Sequence, residues 1–256
     1  MNAQPTPPGA APALPLLRLH LLGGFRATRD SGPPLAERWP RLTAQTLVKL
    51  LAVTPGHRLH REQVMDLCWP DAGPQTAPNN LRVALHAARR ALEPELAPRA
   101  ASSYLISDGA LLLLDPATVW VDADHIEEAA RSALASRDVT GLENALKQCE
   151  GGLLPEDPYA SWADARRARL TALRVEMGLA LAATHLAHGD LTQAAAAAER
   201  VLRAGPAEEA AHRTLMDIAL RQGMRRRALR QYHLCRDALD AELGARPGPE
   251  TERLHR

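Results

Sequence analysis

The sequence predicts a mainly α-helical chain with a small β component, in which a short mixed domain precedes an all-helical one. Three observations carry this. Aromatic residues are only 3% of the chain while alanine and leucine abound, which favours close helix packing over a large β fold. Apolar residues recur at helical spacing through nearly all of 122–256. Strand-like runs occur only near the start and around Asp108-Gly109.

Residues 1–13, rich in Pro, Ala and Gly, read as a disordered leader. An apolar run over 14–22, the pair Gly23-Gly24, residues 25–28 and a further piece at 33–35 read as a small antiparallel sheet. Residues 42–53 have helical spacing at Leu47, Leu50 and Leu51 and end at Thr54-Pro55-Gly56. A second helix over 60–68 puts Val64 and Leu67 on one side and stops at Trp69-Pro70.

After the polar loop 71–75 comes TAPNNLRVALHAARRAL, residues 76–92. Thr76 is the expected N-cap with Pro78 in the first turn, and Glu93-Pro94 closes the helix. At about 100° per residue, Leu81, Leu85, Ala88 and Leu92 share a narrow arc that can be buried. Opposite them lie Asn79, Val83, His86 and Arg90, flanked by Arg82 and Arg89, and the segment has no carboxylate. Taken alone, this is equally a solvated amphipathic helix. Residues 104–107 and 110–114 then flank Asp108-Gly109, the dipeptide suited to a type I′ hairpin turn, and 115–120 follow as a connecting strand or linker.

The order of sheet, three helices and hairpin is that of a winged helix-turn-helix with an added N-terminal sheet, with the third helix as reader and the hairpin as wing. From 122 onward, expected helices occupy 122–136, 140–149 and 162–188, with a Gly-Pro break at 151–158. Two further pairs repeat: Gly189 to Ala194 and Gly223 to Ala228 both read G-x4-A, 34 residues apart, with Leu186 and Leu220, and Val201 and Cys235, at the same offset. That period is the tetratricopeptide one, in which glycine opens the turn and a small residue allows close packing. Leu186, Leu191, Leu215 and Leu220 are expected in its core. The expected domains are thus 14–115, the winged helix-turn-helix, and 116–256, the tetratricopeptide-like helices.

The net charge is +1, but its distribution is uneven. Arg38, Arg41, Lys49, Arg58 and Arg61 occur with no acid between the first and the last, and the helix at 76–92 adds three arginines, a local surface suited to a polyanion. Cys68, Cys149 and Cys235 form no CxxC, so neither a disulfide framework nor a zinc site is indicated and a reducing cytoplasm is the expected compartment. No signal peptide or membrane span is evident. His57/His60 and His185/His188 lack the carboxylate or cysteine that would complete a metal site. No nucleophilic triad, paired catalytic carboxylates or GxxxxGK[ST] loop can be assembled. The reading is therefore of no enzyme and no cofactor.

Several spaced segments together resemble the Streptomyces antibiotic regulatory protein type of transcriptional activator. They are LRLHLLGGFRA, LLAVTPGHRLHREQVMDLCWPD, NNLRVALHAARRAL, YLI with its hairpin, DPYASWADARRARLTALR and LDAELGARPGPETERLHR, and the resemblance spans residues 16–256. It implies an OmpR-like winged helix followed by a bacterial transcriptional activation domain. It also implies an activator that binds direct repeats of promoter DNA as side-by-side copies and helps RNA polymerase, including its sigma factor, engage. The third helix would lie in the major groove and the wing would reach the minor groove. No receiver domain accompanies the OmpR-like part, and the chain is expected to be either a small member or the front of a longer regulator.

The expected base-reading residues are Asn79, Arg82, Val83, His86 and Arg90, since Arg pairs with guanine, Asn with adenine and Val with a thymine methyl. Arg58, His60, Arg61 and Arg89 are expected at the DNA backbone, with Arg41 and Lys49 as possible helpers. The wing tip Ser107, Asp108 and Gly109 lacks arginine and is expected to offer backbone contact at most. Asp71 and Gln75 mark a loop that would face polymerase. Arg225, Arg226, Arg227 and Arg230 form a second basic patch, most simply a solvated one. The rival function is a helical-repeat adaptor or ligand sensor whose N-terminal domain mediates protein contacts.

Overall fold

The computed structural model describes residues 15–30, 32–35 and 39–256. The expected leader, Leu14 and Arg38 lie outside them. The described residues divide into two compact units, one of 15–21 with 25–122 and the other of 22–24 with 123–256. Among them no helix is long and apolar enough to cross a membrane.

In the first unit, β1 (Leu17–His20) pairs antiparallel with β2 (Arg26–Arg29), in register Leu17 with Arg29 and Leu19 with Ala27. Leu17 and Leu19 are buried and their neighbours half-buried, the alternation of a strand with one covered face. Next come α1 (Leu42–Val53), a 3-10 turn at Pro55–His57, β3 (Arg58–His60), α2 (Arg61–Cys68) and α3 (Thr76–Leu92). The wing is β4 (Leu105–Asp108) with β5 (Leu111–Leu114), and β6 (Val119–Val121) ends the unit. The core lies where α1 and α3 meet, with Leu47, Leu50, Leu51, Leu92, Leu105, Leu112 and Leu114 all buried.

Five expectations are corrected here. The N-terminal sheet is mixed, because β6 lies parallel to β1 and fills its second edge. The wing is three-stranded: β3 pairs with β5, bringing Arg58 opposite Leu113 and His60 opposite Leu111. Arg58 and His60 therefore belong to a strand, and α2 begins at Arg61. The hairpin register sets Asp108 opposite Leu111, so the turn residues are Gly109 and Ala110. Gly109 has φ 55° and Ala110 keeps a negative φ, which is a glycine-first turn; type I′ needs two positive values. Gln75 flanks α3 without a side-chain cap, and the amides of Thr76 and Ala77 instead donate to the Gly73 carbonyl at 2.9 and 3.1 Å. Leu67 is 42% exposed, because a helix as short as α2 buries one residue, Val64.

In the second unit, α4 (Asp122–Ser136), α5 (Val139–Gln148), α6 (Asp164–Ala187), α7 (Leu191–Ala204), α8 (Glu209–Arg221), α9 (Arg225–Leu243) and α10 (Pro249–His255) follow one another. A 3-10 turn, Ser161–Ala163, leads into α6. Neighbours in sequence pack on one another from α5 to α9, and α10 lies on α8 and α9. This nearest-neighbour stacking is that of a helical solenoid. Gly189 and Gly223 have φ 78° and 72°, a left-handed conformation that glycine adopts without steric cost at the turns before α7 and α9. Ala194, Ala228, Val201 and Cys235 are buried at matching positions. Leu220 is the exception to the expected core, 39% exposed, while Leu215 is buried and Leu186 and Leu191 are half-buried. The basic patch at the start of α9 is exposed, and Arg227 reaches Glu199 at 3.7 Å.

Candidate nucleic-acid interface

Helix α3 is held by its inner face and by both ends of its last turn. Leu81, Ala84, Leu85, Ala88, Ala91 and Leu92 are buried. Arg29 of β2 donates through Nε to the Leu92 carbonyl at 3.1 Å, satisfying one of the acceptors a helix C-terminus leaves open, and also pairs with Glu95. Its guanidinium lies 5.6 Å from the Tyr104 ring centroid. Glu93, buried at the C-cap, accepts from Ser102 Oγ and from the Ser103 amide at 3.1 Å. The same Ser102 Oγ accepts from the Leu105 amide at 3.1 Å, so the chain entering the wing is tied to the end of the helix.

The outer face is open. Asn79, Arg82, His86 and Arg90 are exposed in one row and Val83 is half-buried beside them. Arg82 Nη2 donates to Asn79 Oδ1 at 2.8 Å, as residues three apart on a helix can. Arg90 Nη1 donates to the Leu96 carbonyl at 3.1 Å, and neither His86 nor Arg99 has a side-chain hydrogen bond or ion pair among the described residues.

The residues expected at the backbone divide by environment. Arg89 is half-buried and faces the wing: Nε donates to the Leu105 carbonyl at 2.9 Å and Nη2 to Ser107 Oγ at 2.8 Å. Burial, then the nearby Arg61 charge, lowers its pKa, while Glu93 opposes the shift. Arg61 Nε donates to the Gly109 carbonyl at 3.3 Å and its amide to the Ala110 carbonyl at 2.8 Å, so α2 holds the wing turn. His60 caps α2. Its Nδ1 accepts from the Glu62 amide at 3.4 Å while the Gln63 side chain accepts from the His60 amide at 3.0 Å, a reciprocal capping box. Arg58 is exposed on β3, and Ser107, Asp108 and Gly109 are exposed at the wing tip. Lys49, offered as a helper, is only 2% exposed and lies 5.2 Å from the Phe25 ring centroid, so it serves the interior. Arg41, Asp71 and Gln75 are exposed.

Sequence reasoning missed Arg29, Ser102 and Arg99, and saw Glu93 only as the end of the helix. None has a local pattern to betray it, since each acts on a segment far away in the chain or in a loop. Among the described residues no group of three or more His, Cys, Asp or Glu side chains is placed to hold a metal ion.

Residues 121–256 match the family model for the bacterial transcriptional activator domain. The chain is 29% identical over 224 residues to the transcriptional regulator RedD of Streptomyces coelicolor, covering 82% of this chain and 62% of RedD. Its fold matches that of Mycobacterium tuberculosis EmbR, solved in complex with a low-affinity phosphopeptide, with a TM-score of 0.77 at 19% identity over 94% of this chain and 64% of EmbR. The chain thus spans less than two thirds of the length of either protein. With a family model over more than half of its length, the chain belongs to the bacterial transcriptional activator domain family, and its likeness to RedD agrees with the resemblance to the Streptomyces antibiotic regulatory protein group.

Proposed function

We propose that the chain is a sequence-specific DNA-binding transcriptional activator that binds direct repeats near a promoter and recruits or stabilises RNA polymerase. The observation that carries this is the outer face of α3, where Asn79, Arg82, His86 and Arg90 stand exposed in a row on a helix without a carboxylate. These are donors and acceptors matched to purine edges in a major groove, each good pair worth about 1–3 kcal/mol of discrimination. Asn79, Arg82, Val83, His86 and Arg90 read bases, Arg90 from the end of the row nearer the 96–100 loop. Arg58 and Arg61 meet phosphates, His60 orders the start of α2, and Arg89 aims the wing.

Residues 14–115 supply DNA binding and 116–256 the activator domain. Side-by-side copies on direct repeats, rather than a two-fold dimer, follow from a head-to-tail site. The exposed loop with Asp71 and Gln75 meets the sigma factor of a cytoplasmic polymerase.

The experiment is a salt titration of binding to promoter duplexes, with Arg82→Ala and Arg90→Ala beside the wild type. A steep loss of affinity with salt and preference for one repeated site are expected, and Arg82→Ala lowers specific more than non-specific binding. Equal weak binding to every duplex refutes the proposal in favour of a protein-contact role.

A further inference from the structure

The loop 96–100 folds back beside the outer face of α3 and encloses with it a cleft of about 620 Å³. Arg82, His86, Arg89 and Arg90 line it from the helix and Arg99 from the loop, and no carboxylate contributes to the wall. The two acids nearest in the chain are engaged elsewhere, Glu93 with Ser102 and Ser103 and Glu95 with Arg29. Leu85, Leu96, Ala97 and Pro98 supply apolar lining, which lowers the local dielectric and strengthens the field of the guanidinium groups.

The loop is built to stay there. Arg90 ties it to the helix through the Leu96 carbonyl, and the Ala100 amide donates to the Ala97 carbonyl at 3.0 Å, closing a turn. Arg99 at the bend has φ 69°, a left-handed conformation uncommon for a residue with a side chain. Its guanidinium is exposed, with no hydrogen bond or ion pair among the described residues. Several like charges gathered without a counter-charge cost free energy that a bound anion recovers.

We propose that this cleft is a phosphate site for duplex DNA, in which Arg99, with Arg90 beside it, grips a backbone phosphate flanking the bases read by α3. A DNA phosphate is the occupant that fits, because the cleft continues the outer face of the helix: Arg82, His86 and Arg90 belong to both. Arg99 adds affinity and register without reading sequence. The inference rests on α3 being the reading helix.

The test uses the full chain, as wild type, Arg99→Ala and Arg99→Lys, with a duplex selected by the wild type from a random pool and an unselected duplex of equal length. Binding is measured across roughly 50–200 mM salt, where counterion release dominates. Arg99→Ala is expected to weaken binding to both duplexes by a similar factor, about tenfold, and to reduce the salt slope by about one, with Arg99→Lys recovering most of the loss. Thermal unfolding of the exposed-site variants is expected to match the wild type. Unchanged affinity and slope for Arg99→Ala, or a loss confined to the selected duplex, overturns the phosphate role while the reading of α3 stands. A wild type without salt-dependent duplex binding overturns both.

Discussion

Arg89 fastens the wing to α3: its Nε donates to the carbonyl of Leu105, in the first residue of β4, at 2.9 Å. The bond adds to those of Arg61 at the wing turn and of Glu93 at the chain entering the wing, and helps to set the orientation of the wing relative to α3. With Nη2 on Ser107 as well, the planar guanidinium spans two points of the same strand.

Arg89→Lys keeps the charge and loses the fork. It is expected to cost about 1 kcal/mol of stability for each hydrogen bond lost, read from the midpoint of urea unfolding. Hydrogen exchange at the β4 and β5 amides is expected to speed up while that of α1 stays unchanged. Equal exchange in both elements would refute a role specific to the wing.

Glu93 is buried and accepts from Ser102 and Ser103. Replacing it by alanine leaves those donors without partners in the interior, at a cost of about 1–3 kcal/mol. Glu93→Gln, which keeps an acceptor, is expected to lose less. If thermal unfolding ranks the glutamine variant as equal to or worse than alanine, the hydrogen-bond account fails.

Gly178 of α6 lies tightly against α7, since a Cβ there would sit 2.4 Å from Val201 Cγ2. Val201 is buried and β-branched, so it has little freedom to move aside. Gly178→Ala is expected to destabilise the second unit by about 1–3 kcal/mol through overpacking. Adding Val201→Ala should recover part of that cost, and a double variant no more stable than Gly178→Ala alone would dispose of the explanation.

His20 titrates below its ordinary value of 6.5, because burial outweighs the opposing pull of Asp122, and Arg26 and Arg18 lower it further. A base with a depressed folded pKa binds fewer protons folded than unfolded, so stability rises with pH across that interval. The contribution is whole above 6.5 and is lost as pH falls from there through the folded value. Wild-type Tm is therefore expected to fall more steeply than that of His20→Gln on going from about pH 7 to pH 5. Parallel profiles would exclude His20 as the source.

Helix bounds were largely legible because their signals are local. The stretch Leu42–Val53 carries its own apolar spacing and its own Thr-Pro-Gly stop, and Asp122–Ser136 likewise stands within its expected limits. The face of α3 was legible for the same reason, since a period of about 3.6 residues sorts buried from exposed positions without reference to the rest of the chain. The strand β3 was not, and for β6 the alternatives of strand and linker stayed open. Three residues carry too little period to identify a strand, and what makes them strands is the edge of β5 and of β1 that they complete.

The amino-acid sequence by itself determined that the outer face of α3 is cationic, that a hairpin follows it, and that glycine and alanine recur at 34 residues in the second unit. Only the tertiary structure decided which of the cations face outward. Lys49 is turned against Phe25, Arg29 reaches the end of α3, Arg89 is drawn to the wing, and Arg99 is brought from a loop to the side of Arg90. The physical reason is that a guanidinium or ammonium group takes its role from the acceptors and rings within reach. Those neighbours come from segments that local periodicity does not connect.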